Sequence, residues 1–171
     1  MSVAVETGLW QLDPARSTVA LQHKSIWGLV TVKGTYTAVT GEGEVRPDGS
    51  ASGTLTLDAA SLDTKNAKRD KHLSSADFFD AGRHPEIIFS VRSAVPGADD
   101  TVEVSGQLTV RGISRPQSFT ARVTDADADA VTLNAELTVD RAEFGLDWNQ
   151  LGMIRGLTTV TAALRFARRA V

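Results

Sequence analysis

Apolar and polar residues alternate singly through most of this chain, and a period of two admits few architectures. Successive side chains of a strand point to opposite faces, so each alternating stretch has one buried face and one wet face. Residues 17–24 place Val19, Leu21 and His23 on one face and Thr18, Ala20 and Gln22 on the other. The same reading puts Leu55 and Leu57 together in residues 53–58, and Ile87, Phe89 and Val91 in residues 86–92. Residues 101–110 align Val102, Val104, Leu108 and Val110, and residues 130–140 align Val131, Leu133, Leu137 and Val139. Residues 157–168 align Val160, Ala162, Leu164 and Phe166. Residues 29–45 read as one long β-branched segment bent at Gly34, Gly41 and Gly43, because glycines in a strand mark bulges or sharp bends. Residues 114–124, carrying Phe119, add a further strand, and Trp10–Pro14 read as a cover over one end. About eight antiparallel strands without a βαβ rhythm predict an all-β, eight-stranded antiparallel barrel, closed to remove its edges. Such an interior is either filled by side chains or holds one slender ligand.

One stretch departs from the pattern. Residues 61–85 contain a segment free of β-branched residues, 66–74, that predicts a short helix with Asn66 as its N-cap. Asn66, Arg69 or Asp70, and Leu73 then share a face, while Lys68, Lys71 and His72 point elsewhere. Phe78 and Phe79 follow, and His84-Pro85 sets an extended residue before the next strand. The stretch reads as a helical insertion between strands.

Size and composition narrow the function. A chain of 171 residues that is 42% hydrophobic fits one domain spanning 1–171 with a full core. A formal charge of −3 gives no electrostatic reason for a nucleic-acid partner. There are no cysteines, hence no disulfides or thiolate sites, and the three histidines, His23, His72 and His84, lack metal-ligand spacing. No run approaches the ~20 apolar residues of a membrane-spanning helix and the start carries no secretion signal, so the expectation is a cytoplasmic protein without membrane insertion.

The acidic run from Asp125 to Asp129 has alanine at the position where a calcium loop needs glycine, and it enters an alternating strand, so it reads as a hairpin turn. Nucleophile-elbow and phosphate-loop patterns are absent. Asp70 and His72, two residues apart, do not share a helix face as a catalytic pair would. His23 on an apolar face is a hydrogen-bonded core histidine, a contact for a ligand head group, or the general base of an enzyme acting on a small hydrophobic substrate. Trp10, Trp27, Phe78, Phe79, Phe144 and Trp148 sit at strand ends or in the insertion, where large rings cap a core or line a cavity mouth. Lys65, Lys68, Arg69 and Lys71 form a local basic cluster.

In order along the chain stand Trp10-x-Leu12-Asp13-Pro14-x-x-Ser17, His23, Gly34, and the block Ser61-Leu62-Asp63-Thr64-x-Asn66-x-x-Arg69-Asp70-x-His72-Leu73-x-Ser75-x-Asp77-Phe78-Phe79-Asp80. Pro85-x-Ile87-x-Phe89, Gly106-x-Leu108-x-Val110-Arg111-Gly112-Ile113-Ser114-Arg115-Pro116 and Arg141-x-Glu143-Phe144-Gly145-Leu146 follow. This succession resembles the YceI-like family over nearly the whole chain. The resemblance implies a lipocalin-like barrel that takes a long-chain polyisoprenoid lipid into an apolar pore, a homodimer, and no cofactor. It implies binding, storage or transport of the lipid, with His23, Phe89, Leu108 and Phe119 on the tail and Asn66, Arg69, Asp70 and Phe78 at the entrance. Trp27, Leu73, Phe79 and Phe144 complete the lipid-binding set, and residues 61–85 become a cap tied down by Arg69 and Asp70. Many members carry histidine where this chain has Arg16 and a Val-Gly-Asp run where it reads Met153-Ile154-Arg155-Gly156-Leu157.

Overall fold

In the computed structural model, which describes residues 7–25, 30–73, 81–140 and 157–168, the alternating segments form one antiparallel sheet of eleven strands. They are β1 (Gly8–Leu12), β2 (Thr18–Ser25), β3 (Val30–Tyr36), β4 (Val39–Val45), β5 (Ala51–Asp58) and β6 (Leu62–Asp63). Helix α1 (Ala67–Leu73) then precedes β7 (Glu86–Pro96), β8 (Thr101–Val110), β9 (Ile113–Ala126), β10 (Ala130–Asp140) and β11 (Leu157–Arg168). The order β1-β4-β5-β7-β8-β9-β10-β11 returns to β1, because Trp10, Gln11 and Leu12 pair with Arg168, Ala167 and Phe166. The sheet is therefore a closed eight-stranded barrel, and β2, β3 and β6 prolong the staves begun by β1, β4 and β5.

Two expectations are corrected. Gly8–Leu12 is a stave of the barrel rather than a cover over its end, held between β4 and β11 with Trp10 and Leu12 buried and Leu9 and Gln11 exposed. Asp13 and Pro14 turn the chain from β1 into β2, and the corner is fastened to β11: Asp13 N–H donates to the Arg165 carbonyl at 2.8 Å, and Arg165 N–H donates to Ser17 Oγ at 3.0 Å. The long segment expected over residues 29–45 is two strands, and it breaks at Thr37-Ala38 rather than at a glycine. There the ladder is replaced by the 3-10 turn after β5. Thr37 N–H donates to the Ser61 carbonyl at 3.2 Å, Ala38 N–H to Ser61 Oγ at 3.1 Å, and Asp58 N–H to the Ala38 carbonyl at 3.0 Å.

The two barrel ends differ. At one lie α1, β6 and the Arg111-Gly112 turn between β8 and β9; at the other lie the hairpin turns around Asp48, Asp99-Asp100 and Asp127–Asp129. In the last of these Asp127 Oδ1 accepts from the N–H groups of Asp129 and Ala130, both at 2.8 Å, so the acidic run is a side-chain-closed turn as expected. Those two N–H groups hold the Asp127 carboxyl below the usual carboxylate range.

Two apolar clusters fill the ends. Trp10, Val123 and Val131 pack at the hairpin end, with Val45, Val102, Leu133 and Phe166 against them. Leu12, Val19, Tyr36, Val39, Leu57, Leu62, Ile87 and Val110 pack toward the α1 end. One ladder is incomplete: β10 pairs with β11 over its full length, from Ala130–Ala167 to Asp140–Leu157, but with β9 only as far as Ala135–Ala121. Among the described residues, 113–120 of β9 and 136–140 of β10 have no ladder with each other.

Candidate functional site

Between the two clusters the barrel encloses a cavity of about 300 Å³. That is the lower end of the size usual for small-molecule sites. It reaches from Trp10 and Val131 at the hairpin end to Ile87, Val110 and Val139 toward α1, and its wall is almost wholly apolar. An eight-stranded barrel of ordinary large side chains would be packed shut. This one stays open because small residues occupy inward positions: Ala51 and Gly53 on β5, Ala94 on β7, Ala121 on β9, Ala135 on β10 and Ala162 on β11 all line the space.

Glycines also stand across neighbouring strands, where they let the backbones approach closely. Gly43 stands opposite Gly53, Gly53 opposite Val91, and Val91 opposite Gly106. At Gly106 a Cβ would run into the Ser90 carbonyl oxygen, so the strand accepts only glycine at this spacing. Phe89 and Phe119 meet on the wall with ring centroids 5.4 Å apart and planes tilted by 39°, a favourable aromatic geometry. Leu108, opposite Phe89 in the ladder, lines the same space. Tyr36 also borders it; burial pushes its phenol far above the usual range, so the hydroxyl stays protonated and neutral.

The other expected residues fall elsewhere. His23 lies in β2 opposite Val32, and its side chain is outside the described residues. The side chains of Arg69 and Leu73 are likewise outside them, as are Trp27, Phe78, Phe79 and Phe144 altogether. Asn66 is exposed just before α1, its carbonyl accepting from Asp70 N–H at 2.9 Å. Asp70 is half-buried and accepts from Thr64, both from its N–H at 3.0 Å and from its hydroxyl. Neither Asn66 nor Asp70 lines the cavity. The lining positions absent from the expected set are mostly Val, Leu and Ile of the inward faces, with the alanines named above, Gly43, Gly53, Trp10 and Tyr36.

Asp70 thus fastens the helix to the barrel. Thr64 is buried at 4% exposure, so losing the two bonds to the carboxylate costs about 1–3 kcal/mol. Asp70→Ala is expected to raise protease cleavage within α1 while the barrel strands keep their amide protection. Unchanged cleavage would show that the carboxylate does not hold the helix.

The sequence pattern of the YceI-like domain matches residues 10–166. A UPF0312 protein of Staphylococcus aureus is 30% identical over 146 residues, which cover 81% of this chain and 82% of that protein. A UPF0312 protein of Pseudomonas putida is 35% identical over 95 residues; the matched part is 50% of that relative's length and 53% of this chain. Among solved structures, Burkholderia cenocepacia BcnA superposes with a TM-score of 0.81 at 20% identity, covering 90% of this chain and 98% of the other. A polyisoprenoid binding domain from Saccharophagus degradans superposes with a TM-score of 0.77 at 16% identity, covering 96% and 100%. At such identities the two structures are alike in fold.

Proposed function

The chain belongs to the YceI-like domain family, and from that premise we propose that its barrel binds and carries a long-chain polyisoprenoid, tail inward. The observation that carries this reading is the cavity. It is apolar along its length and kept open by alanines and glycines at positions where a packed core would place large side chains. Sequestering an isoprenoid tail removes apolar surface from water at about 25 cal/mol per Å². Phe89, Leu108 and Phe119 present that surface from neighbouring strands. The relative of like fold described as a polyisoprenoid binding domain supports the same ligand class.

We read the protein as a binding protein rather than an enzyme, in line with its YceI-like family and with the neighbour described as a polyisoprenoid binding domain. The rival reading, with His23 as general base, draws no support from the cavity, whose described wall offers almost no polar surface to a reacting group. Protein purified without added lipid, examined by native mass spectrometry and by solvent extraction, is expected to yield a long isoprenoid. Protein that neither retains nor takes up such a lipid when it is offered overturns the assignment.

A further inference from the structure

We propose that the α1 end of the barrel docks on the surface of an anionic lipid bilayer. This rests on the carrier reading, and it names the partner from which the lipid is collected or to which it is delivered. Lys65, Lys68 and Lys71 recur at every third residue and are exposed. Lys65 is shared with Asp63 at 3.2 Å, while Lys68 and Lys71 carry the outward charge of α1. Asp70, the acidic residue of the same helix, is turned back onto Thr64.

A second group of cations joins them from other elements. Arg83 is exposed just before β7, and Arg111 and Arg115 flank the turn between β8 and β9. That turn lies directly against His84: a Cβ at Gly112 would stand 3.0 Å from its ring. The Arg111-Gly112 turn and the Arg83-His84 segment therefore form one surface. Ala59 N–H donates to the Pro85 carbonyl at 2.9 Å, tying that surface to the foot of the inserted segment.

The opposite end is the more acidic one, with Arg46, Arg122 and Arg165 standing among its carboxylates. Its three turns carry Asp48, Asp99, Asp100, Asp127 and Asp129. Charges separated along the barrel axis orient the molecule in a field, so an anionic surface attracts the helical end and repels the hairpin end. A lysine or arginine near an anionic leaflet contributes about 1 kcal/mol, within a screening length of about 10 Å. A bilayer fits this end better than an acidic protein does, because an isoprenoid resides in membranes and its tail exchanges only where the carrier meets one. No described helix is long and apolar enough to cross a membrane.

The test is co-sedimentation of the full chain with vesicles of phosphatidylcholine alone and of phosphatidylcholine mixed with phosphatidylglycerol. Binding is expected only to the mixed vesicles, and it is expected to vanish at about 1 M salt, where screening shortens to about 3 Å. Lys68→Glu/Lys71→Glu is expected to weaken it at least about tenfold with an unchanged melting temperature, whereas Asp129→Lys at the far end leaves it undiminished. Binding that ignores phosphatidylglycerol, salt or the double variant, or no binding at all (the result if the end instead serves an acidic protein), overturns the proposal. Isoprenoid content is measured on the same double variant. Lipid retained by a protein that never sediments refutes docking alone, and docking by a protein that never holds lipid refutes the carrier reading alone.

Discussion

Ala135→Phe is expected to empty the protein of lipid and stabilise it at once. Ala135 lies on the cavity wall, opposite Ala121 on β9 and Ala162 on β11. A ring at this position enters the space between them. If it occupies roughly a third of the cavity, removing that void returns on the order of 2 kcal/mol, at about 24 cal/mol per Å³. Extraction of the variant should then yield at least about tenfold less isoprenoid than the parent, and chemical denaturation should show a higher midpoint. A packed interior gives the reverse sign, because an overfilled core loses about 1–3 kcal/mol. Undiminished lipid in the variant, or a fall in stability of that size, refutes an open, lipid-holding barrel.

Trp10→Ala is expected to be the most damaging single truncation, at about 3–5 kcal/mol. Trp10 is only 2% exposed, packs with Val123 and Val131 to fill the hairpin end, and stands in β1, the stave that joins β4 to β11. Its loss leaves a void and loosens closure of the ring together. Leu9→Ala, one residue away at 50% exposure, is the control and should cost well under 1 kcal/mol. Denaturant melts of the two variants separate the outcomes, and near-equal stabilities would show that Trp10 does not hold the barrel closed.

Period two carried most of the fold. Val19, Ile87, Val104, Val123 and Val131 are buried on their strands, and Thr101–Val110, Ala130–Asp140 and Leu157–Arg168 have the bounds the alternation predicts. The short stave β1 also alternates, with Leu9 and Gln11 outside and Trp10 and Leu12 inside, but its five residues stop at Asp13-Pro14, and so brief a run reads equally as a turn. The break at Thr37-Ala38 was not legible because its cause is distant: Ser61, in the turn after β5, takes the backbone groups that a continuous strand would have kept.

The cavity wall was legible only in part, for a different reason. Phe89, Leu108 and Phe119 stand out because large apolar residues mark a buried face, and all three line the cavity. What makes the cavity is the absence of bulk at Ala121, Ala135 and Ala162, and a small residue on an apolar face gives no signal until the opposing strands are known. Asp70 was expected both at the entrance and as a tie for the helix. Its bonds to Thr64 are those of a tie, a long-range packing choice that helical spacing does not specify.

The unfinished ladder between β9 and β10 bears on the girth of the barrel. Above Ala121 and Ala135 no backbone bonds between these two strands fix the circumference, while Phe119 on one side and Leu137 and Val139 on the other face the cavity. A wall stitched all the way up has one bore; a wall whose last seam stops partway has a rigid base and an upper rim whose width is set by side chains, and hence by whatever lies between them. Among the described residues the hairpin end is thus ringed by paired strands around Trp10, whereas toward α1 the wall has one seam, between β9 and β10, closed by side chains alone.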